Sequence, residues 1–120
     1  MSDSKLRTQS MDFAVQIINL VKSLKEKRES IISNQIGKSG TSIGANIREA
    51  KYAHSKADFT AKLQIALKEC YETEYWLELL HQSGYIPNEM FHDIYKDCQE
   101  LLRILIAATK TLQGKTGNNN

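Results

Sequence analysis

One proline in 120 residues, Pro87, together with only six glycines, leaves this chain almost without punctuation. A sheet-based fold of this size needs a turn roughly every 8–12 residues, built from the residue types that are scarce here. Long uninterrupted helices are what such a chain can form, and an all-β domain is excluded. Apolar residues make up 41% and charged residues 25%, which is enough for one core but, at this length, not for two. The sequence therefore predicts a single all-α domain over 1–120.

Apolar periodicity divides that domain into four helices, expected at about residues 9–28, 31–53, 56–83 and 87–112. In the first, Phe13, Ile17, Leu20 and Leu24 recur at spacings of 4, 3 and 4, the stripe of a helix that buries one face. In the second, Ile36, Gly40, Ile43, Ile47 and Ala50 keep the same rhythm through Gly37-Lys38-Ser39-Gly40-Thr41-Ser42-Ile43-Gly44. Propensity alone makes that stretch a loop, since each glycine costs about 1 kcal/mol relative to alanine inside a helix. The unbroken isoleucine phase favours a continuous helix whose glycines admit a neighbouring backbone. The third opens on Ser55-Lys56-Ala57-Asp58, a capping-box variant, and Gly84 is placed to be its C′ residue. Pro87 suits the first position of the fourth. Short connections between four such helices predict an antiparallel up-down-up-down bundle. The tail 113–120 has no periodicity and is expected to be disordered.

Helices three and four carry apolar surface away from their seams. Tyr75, Trp76 and Leu79 on one, and Leu102 and Ile106 on the other, are candidates for an oligomer interface. Charge is also uneven: residues 1–68 hold 12 Lys/Arg against 6 Asp/Glu, while residues 69–120 hold 4 against 8. A basic half and an acidic half suit heterologous contacts that close into rings, or attract an anionic partner to one side. Lys22, Lys25, Arg28, Lys38, Arg48 and Lys51 are the candidate phosphate contacts; the plainer alternative is a solvated face. Without a base-reading motif they predict affinity for RNA or DNA with little sequence choice and a steep salt dependence.

Other chemistry finds little support. Gly114-Lys115-Thr116 lacks the upstream glycine and strand of a phosphate-binding loop. Glu78-Leu79-Leu80-His81 and Glu89-Met90-Phe91-His92 match the Glu-x-x-His string of di-iron bundles, but the seam places Leu80 and Phe91, not the histidines, inward. No nucleophile with a positioned base stands out, so neither enzyme activity, metal nor cofactor is expected. Cys70 and Cys98 fall in apolar helical patterns and read as reduced core thiols rather than a disulfide. No secretory signal or membrane span is evident, and a cytoplasmic location is expected.

The run Gln35-Ile36-Gly37-Lys38-Ser39-Gly40-Thr41-Ser42-Ile43-Gly44-Ala45-Asn46-Ile47-Arg48-Glu49-Ala50 resembles the signature of the bundle proteins encoded within intervening sequences of bacterial 23S ribosomal RNA genes, also called S23 ribosomal proteins. Ser42, Ile43, Asn46, Ile47 and Glu49 fit its pattern; Gly44 and Ala50 stand where proline and glycine are usual. Phe59, Leu63 to Glu74, Leu77 and Ser83-Gly84-Tyr85-Ile86 are similar as well, and the likeness spans about residues 10–112. The resemblance implies an antiparallel four-helix bundle assembled as a homopentamer. It also implies kinship with accessory proteins of diversity-generating retroelements, whose rings bind nucleic acid and a reverse transcriptase. Ser42, Asn46 and Glu49 are assigned structural roles in it, as hydrogen-bonded polar groups where small residues let helices approach.

Overall fold

The computed structural model describes the backbone of residues 2–118 and the side chains of residues 5–112. It contains four helices: α1 (Ser2–Glu26), α2 (Ile31–Lys51), α3 (Lys56–Gln82) and α4 (Asn88–Asn118). Each packs on the next and α4 returns to α1, while among the described residues the backbones of the diagonal pairs stay apart, as an up-down-up-down bundle requires. The molecule measures 51 × 24 × 22 Å.

The seams read from the sequence form the core. Phe13, Ile17 and Leu24 of α1, Ile36 and Ile43 of α2, Leu77 and Leu80 of α3, and Leu101 and Leu105 of α4 are all fully buried. Two ends differ from expectation. Helix α1 begins at Ser2 rather than near residue 9, because Leu6 and Ser10 continue the buried stripe toward the N-terminus. Helix α4 runs on past 112 to Asn118; residues 119 and 120, and every side chain of the tail including the Gly-Lys-Thr string, lie outside the described residues.

Helix α2 is continuous through its glycines. A Cβ at Gly40 would lie 2.7 Å from Ile17 Cγ1 and 2.9 Å from Cγ2, whereas one at Gly44 would have Ser10 as its nearest neighbour, at 3.4 Å and beyond. Close approach of α1 is therefore what Gly40 provides. Hydroxyls sustain the same stretch: Thr41 donates to the Gly37 carbonyl and Ser42 to that of Lys38, each at 2.7 Å. Thr73 of α3 donates to Ser39 at 2.8 Å in the buried α2/α3 contact.

The turns explain the helix boundaries. Ser55 is extended and accepts from the Asp58 amide (3.1 Å), but the Asp58 carboxylate reaches one residue further back than a capping box does, to the His54 amide (3.4 Å). Helix α3 ends in a Schellman motif with Gly84 at φ 85, Tyr85 N–H donating to Leu80 and Gly84 N–H to His81. Helix α1 ends in the same motif with Arg28 in the left-handed position, φ 63; Glu29 N–H donates to Leu24 and Arg28 N–H to Lys25. Pro87 precedes the first turn of α4 and accepts from the Phe91 amide (2.9 Å), one place earlier than expected.

Candidate nucleic-acid interface

Antiparallel packing decides where the basic residues go. Gly40 lies against Ile17, Gly37 against Val21 and Gly44 against Ser10, so α2 runs back along α1 and carries Arg48 and Lys51 to the level of Arg7. Lys22, Lys25 and Arg28 sit at the other end of α1, and Lys38 joins them, since the adjacent Gly37 packs on Val21. From Lys25 to Arg7 is roughly 27 Å along the helix axis. The six candidates thus form two groups, one at each end of the α1–α2 layer. Arg7, which the sequence reading passed over, joins the second group.

All six are exposed. The one salt bridge among the described residues joins Glu49 of α2 to Lys62 of α3 (3.4 Å) at the surface, where it contributes about 0–1 kcal/mol. Five acidic groups of α3 and α4 are engaged with neutral donors instead. Gln9 and Gln16 of α1 donate to Glu100 and Asp97 of α4, each at 2.9 Å; Tyr95 donates to Glu78 (2.8 Å) and Trp76 to Glu72 (3.1 Å). Burial, then the Glu78 hydrogen bond and the nearby Glu74 charge, push the Tyr95 hydroxyl well above its ordinary range, so it remains a neutral donor. Among the described residues, no cation of the α1–α2 layer is in a salt bridge with a carboxylate of the α3–α4 layer.

The motif residues act locally. Asn46 donates to the Ser42 carbonyl (2.8 Å) within α2, and Glu49 is the one that reaches another helix, through Lys62. Among the interface candidates, Tyr75 is 59% exposed and Ile106 39%, with Trp76 and Leu79 half-buried; Tyr75 meets Trp76 edge-on at 5.0 Å. Leu102 is a correction: at 6% exposure it belongs to the core, because α4 buries Leu101, Leu102 and Leu105 together in a stripe broader than a single seam. The sequence reading also missed an exposed apolar stripe on α1, Met11, Val15 and Ile18, which its 4-3 spacing marks.

The Glu-x-x-His strings have other occupations. Glu78 accepts from Tyr95, while His81 stacks on Phe91 at 4.0 Å and meets Asn88 Oδ1 at 2.6 Å. Cys70 and Cys98 are buried, free and 3.9 Å apart at sulfur. Their mutual hydrogen bond and burial push the Cys98 thiol up, keeping it protonated.

These features define a class: a four-helix bundle with a basic layer, an acidic layer and a glycine-mediated contact between its first two helices. The chain belongs to the 23S rRNA-intervening sequence protein family, whose pattern it matches over residues 2–107. It is similar to a protein of unknown function from the S23 ribosomal protein family of Bacteroides thetaiotaomicron, known from a crystal structure. The two are 52% identical with a TM-score of 0.89, over 92% of this chain and 99% of that one. No curated protein matches the chain. No helix among the described residues is long and apolar enough to cross a membrane.

Proposed function

We propose that this is a non-enzymatic, homo-oligomeric member of the family, most simply a pentamer, that binds RNA or DNA through the basic layer of α1 and α2 in the cytoplasm. The observation that carries the reading is the state of the charges: Lys22, Lys25, Arg28, Lys38, Arg48 and Lys51 are exposed and have no carboxylate partner within salt-bridge distance among the described residues. Cations left free in this way are available to phosphates, and the division into two groups suits a strand that crosses the layer lengthwise. A partner polypeptide, such as a reverse transcriptase, is the second reading; exposed Tyr71, Tyr75 and Ile65 on the outer side of α3 favour it.

Titration of labelled single- and double-stranded RNA and DNA against salt tests the proposal. Log affinity should fall linearly with log salt, by about 0.9 for each phosphate contact on a duplex. Replacing Arg48 and Lys51 by Ala should flatten that slope by about 2, and replacing Lys22 and Lys25 should do the same. Absence of binding at low salt, or slopes untouched by both double variants, would overturn it. Recovery of a partner protein that survives nuclease treatment would support the second reading.

A further inference from the structure

The two ends of the bundle are not alike. At one, Leu24, Leu80 and Ile86 close the core, and Lys27 Nζ ties the α1–α2 turn to the α3–α4 turn through the Tyr85 carbonyl (2.9 Å). At the other, between the start of α1, the end of α2, the start of α3 and the later part of α4, a cavity of about 1170 Å³ opens to solvent. Leu6, Ile47, Phe59, Leu63 and Ile104 line it among the described residues. Leu6, Ile47 and Leu63 are core residues that keep slight exposure where they border it. Arg7, Arg48 and Lys51 stand in the same lining with Tyr52. Arg7 and Arg48 also share a second, adjacent cavity of about 440 Å³ in the α1/α2 groove, which brings two guanidinium-bearing side chains of neighbouring helices together. Neither is in a salt bridge; Glu49, which borders the smaller cavity, is taken by Lys62, and Asp12 is the other acid in the lining.

Phosphate contact along a nucleic acid requires the cations but not an apolar chamber behind them. Conversely, a purely apolar cavity would not gather three cations beside it. A ligand that satisfies both has an aliphatic body and one anionic head. We propose that the open end of the bundle is a binding site for a fatty carboxylate, its chain lying between Leu6, Phe59, Leu63 and Ile104 and its head held by Arg7 and Arg48. Guanidinium groups suit a carboxylate because they can donate two parallel hydrogen bonds to it. The volume is somewhat above that of ordinary small-molecule sites and accommodates a chain of a dozen carbons. The assignment shares Arg48 with the nucleic-acid reading but does not rest on it, and its test uses a different ligand.

Isothermal titration of the full chain with dodecanoate, octanoate and dodecyltrimethylammonium, all below their micellar concentrations, is the test. Dodecanoate should bind saturably, one per chain, and octanoate more weakly by on the order of 100-fold, from the four methylenes lost. The cationic amphiphile should not compete. Replacing both Arg7 and Arg48 by Ala should weaken dodecanoate about ten- to hundredfold, and Ala108→Phe, which places a ring in the cavity, should abolish binding. Absence of saturable binding, equal affinity for the cationic amphiphile, or dodecanoate affinity unchanged by the double variant would overturn the proposal. So would unchanged affinity in an Ala108→Phe protein that melts like the parent.

Discussion

Gly40 and Gly44 lie one helical turn apart on α2, yet their surroundings demand opposite outcomes from the same substitution. Gly40→Ala drives a methyl into Ile17, a fully buried side chain, and should cost about 1–3 kcal/mol. Gly44→Ala meets Ser10 only at ordinary contact distance, so the higher helix propensity of alanine should raise stability by up to about 1 kcal/mol. Urea denaturation of the two variants beside the parent checks both signs. Arg28 gives a third case. An L-residue held left-handed at φ 63 is strained by about 1–2 kcal/mol, and Arg28→Gly should stabilise the fold, by somewhat less because glycine also loses more freedom on folding; a lower melting temperature would contradict this. The glycine contact was legible in the sequence because isoleucines kept phase on both sides of it. The Arg28 cap was not, since nothing in Lys27-Arg28-Glu29 has the glycine that marks such a turn. Leu102 was misplaced for a related reason: adjacent leucines can share one broad buried stripe, and spacing alone assigns only one of them to the seam.

At the scale of elements, helix starts show how capping moves between neighbours. Ser30 has the residue type of an N-cap for α2 but makes no side-chain cap bond. The buried Glu29 carboxylate does that work, accepting from the Ile32 and Ser33 amides at 2.9 and 2.7 Å, while Ser33 donates to the Glu29 carbonyl. Because the same residue closes the Schellman motif of α1, it couples the end of one helix to the start of the next. Glu29→Ala should destabilise the bundle by about 0.5–2 kcal/mol, and Ser30→Ala by much less; thermal melts of the pair would show the reverse order if Ser30 were the cap. The third helix was readable from both ends, with Ser55 and Gly84 where a cap and a C′ residue belong. The first was readable only from Phe13 onward, since one leucine at position 6 and a buried serine at position 10 make no visible stripe. The six basic residues form a near-continuous series along the chain, and only the reversal between α1 and α2 shows that they occupy opposite ends.

The whole molecule stacks a basic α1–α2 layer on an acidic α3–α4 layer, with one salt bridge among the described residues to connect charges of opposite sign. Copies that meet basic layer to acidic layer would neutralise what a single chain leaves open, and exposed Tyr75 and Ile106 add apolar area to such a contact. Sedimentation at micromolar concentration should therefore give a multiple of the 13.6 kDa chain mass, and Tyr75→Glu combined with Ile106→Glu should return it to that of one chain while leaving helix content unchanged. A parent protein that sediments as one chain would remove the ring from the proposed function.

The unequal closure of the bundle also has a consequence for how the molecule breathes. Helices α1 and α4 are its most loosely packed neighbours, and they are clasped midway by Gln9–Glu100 and Gln16–Asp97, with the tied turns on one side of the clasp and the cavity on the other. Thermal fluctuations will part the two helices as a clothes-peg opens, from the free jaws toward the spring. Amide deuteration should accordingly reach the first turns of α1 and the later turns of α4 well before it reaches Leu24 or Leu80, following a gradient along the long axis rather than one common rate.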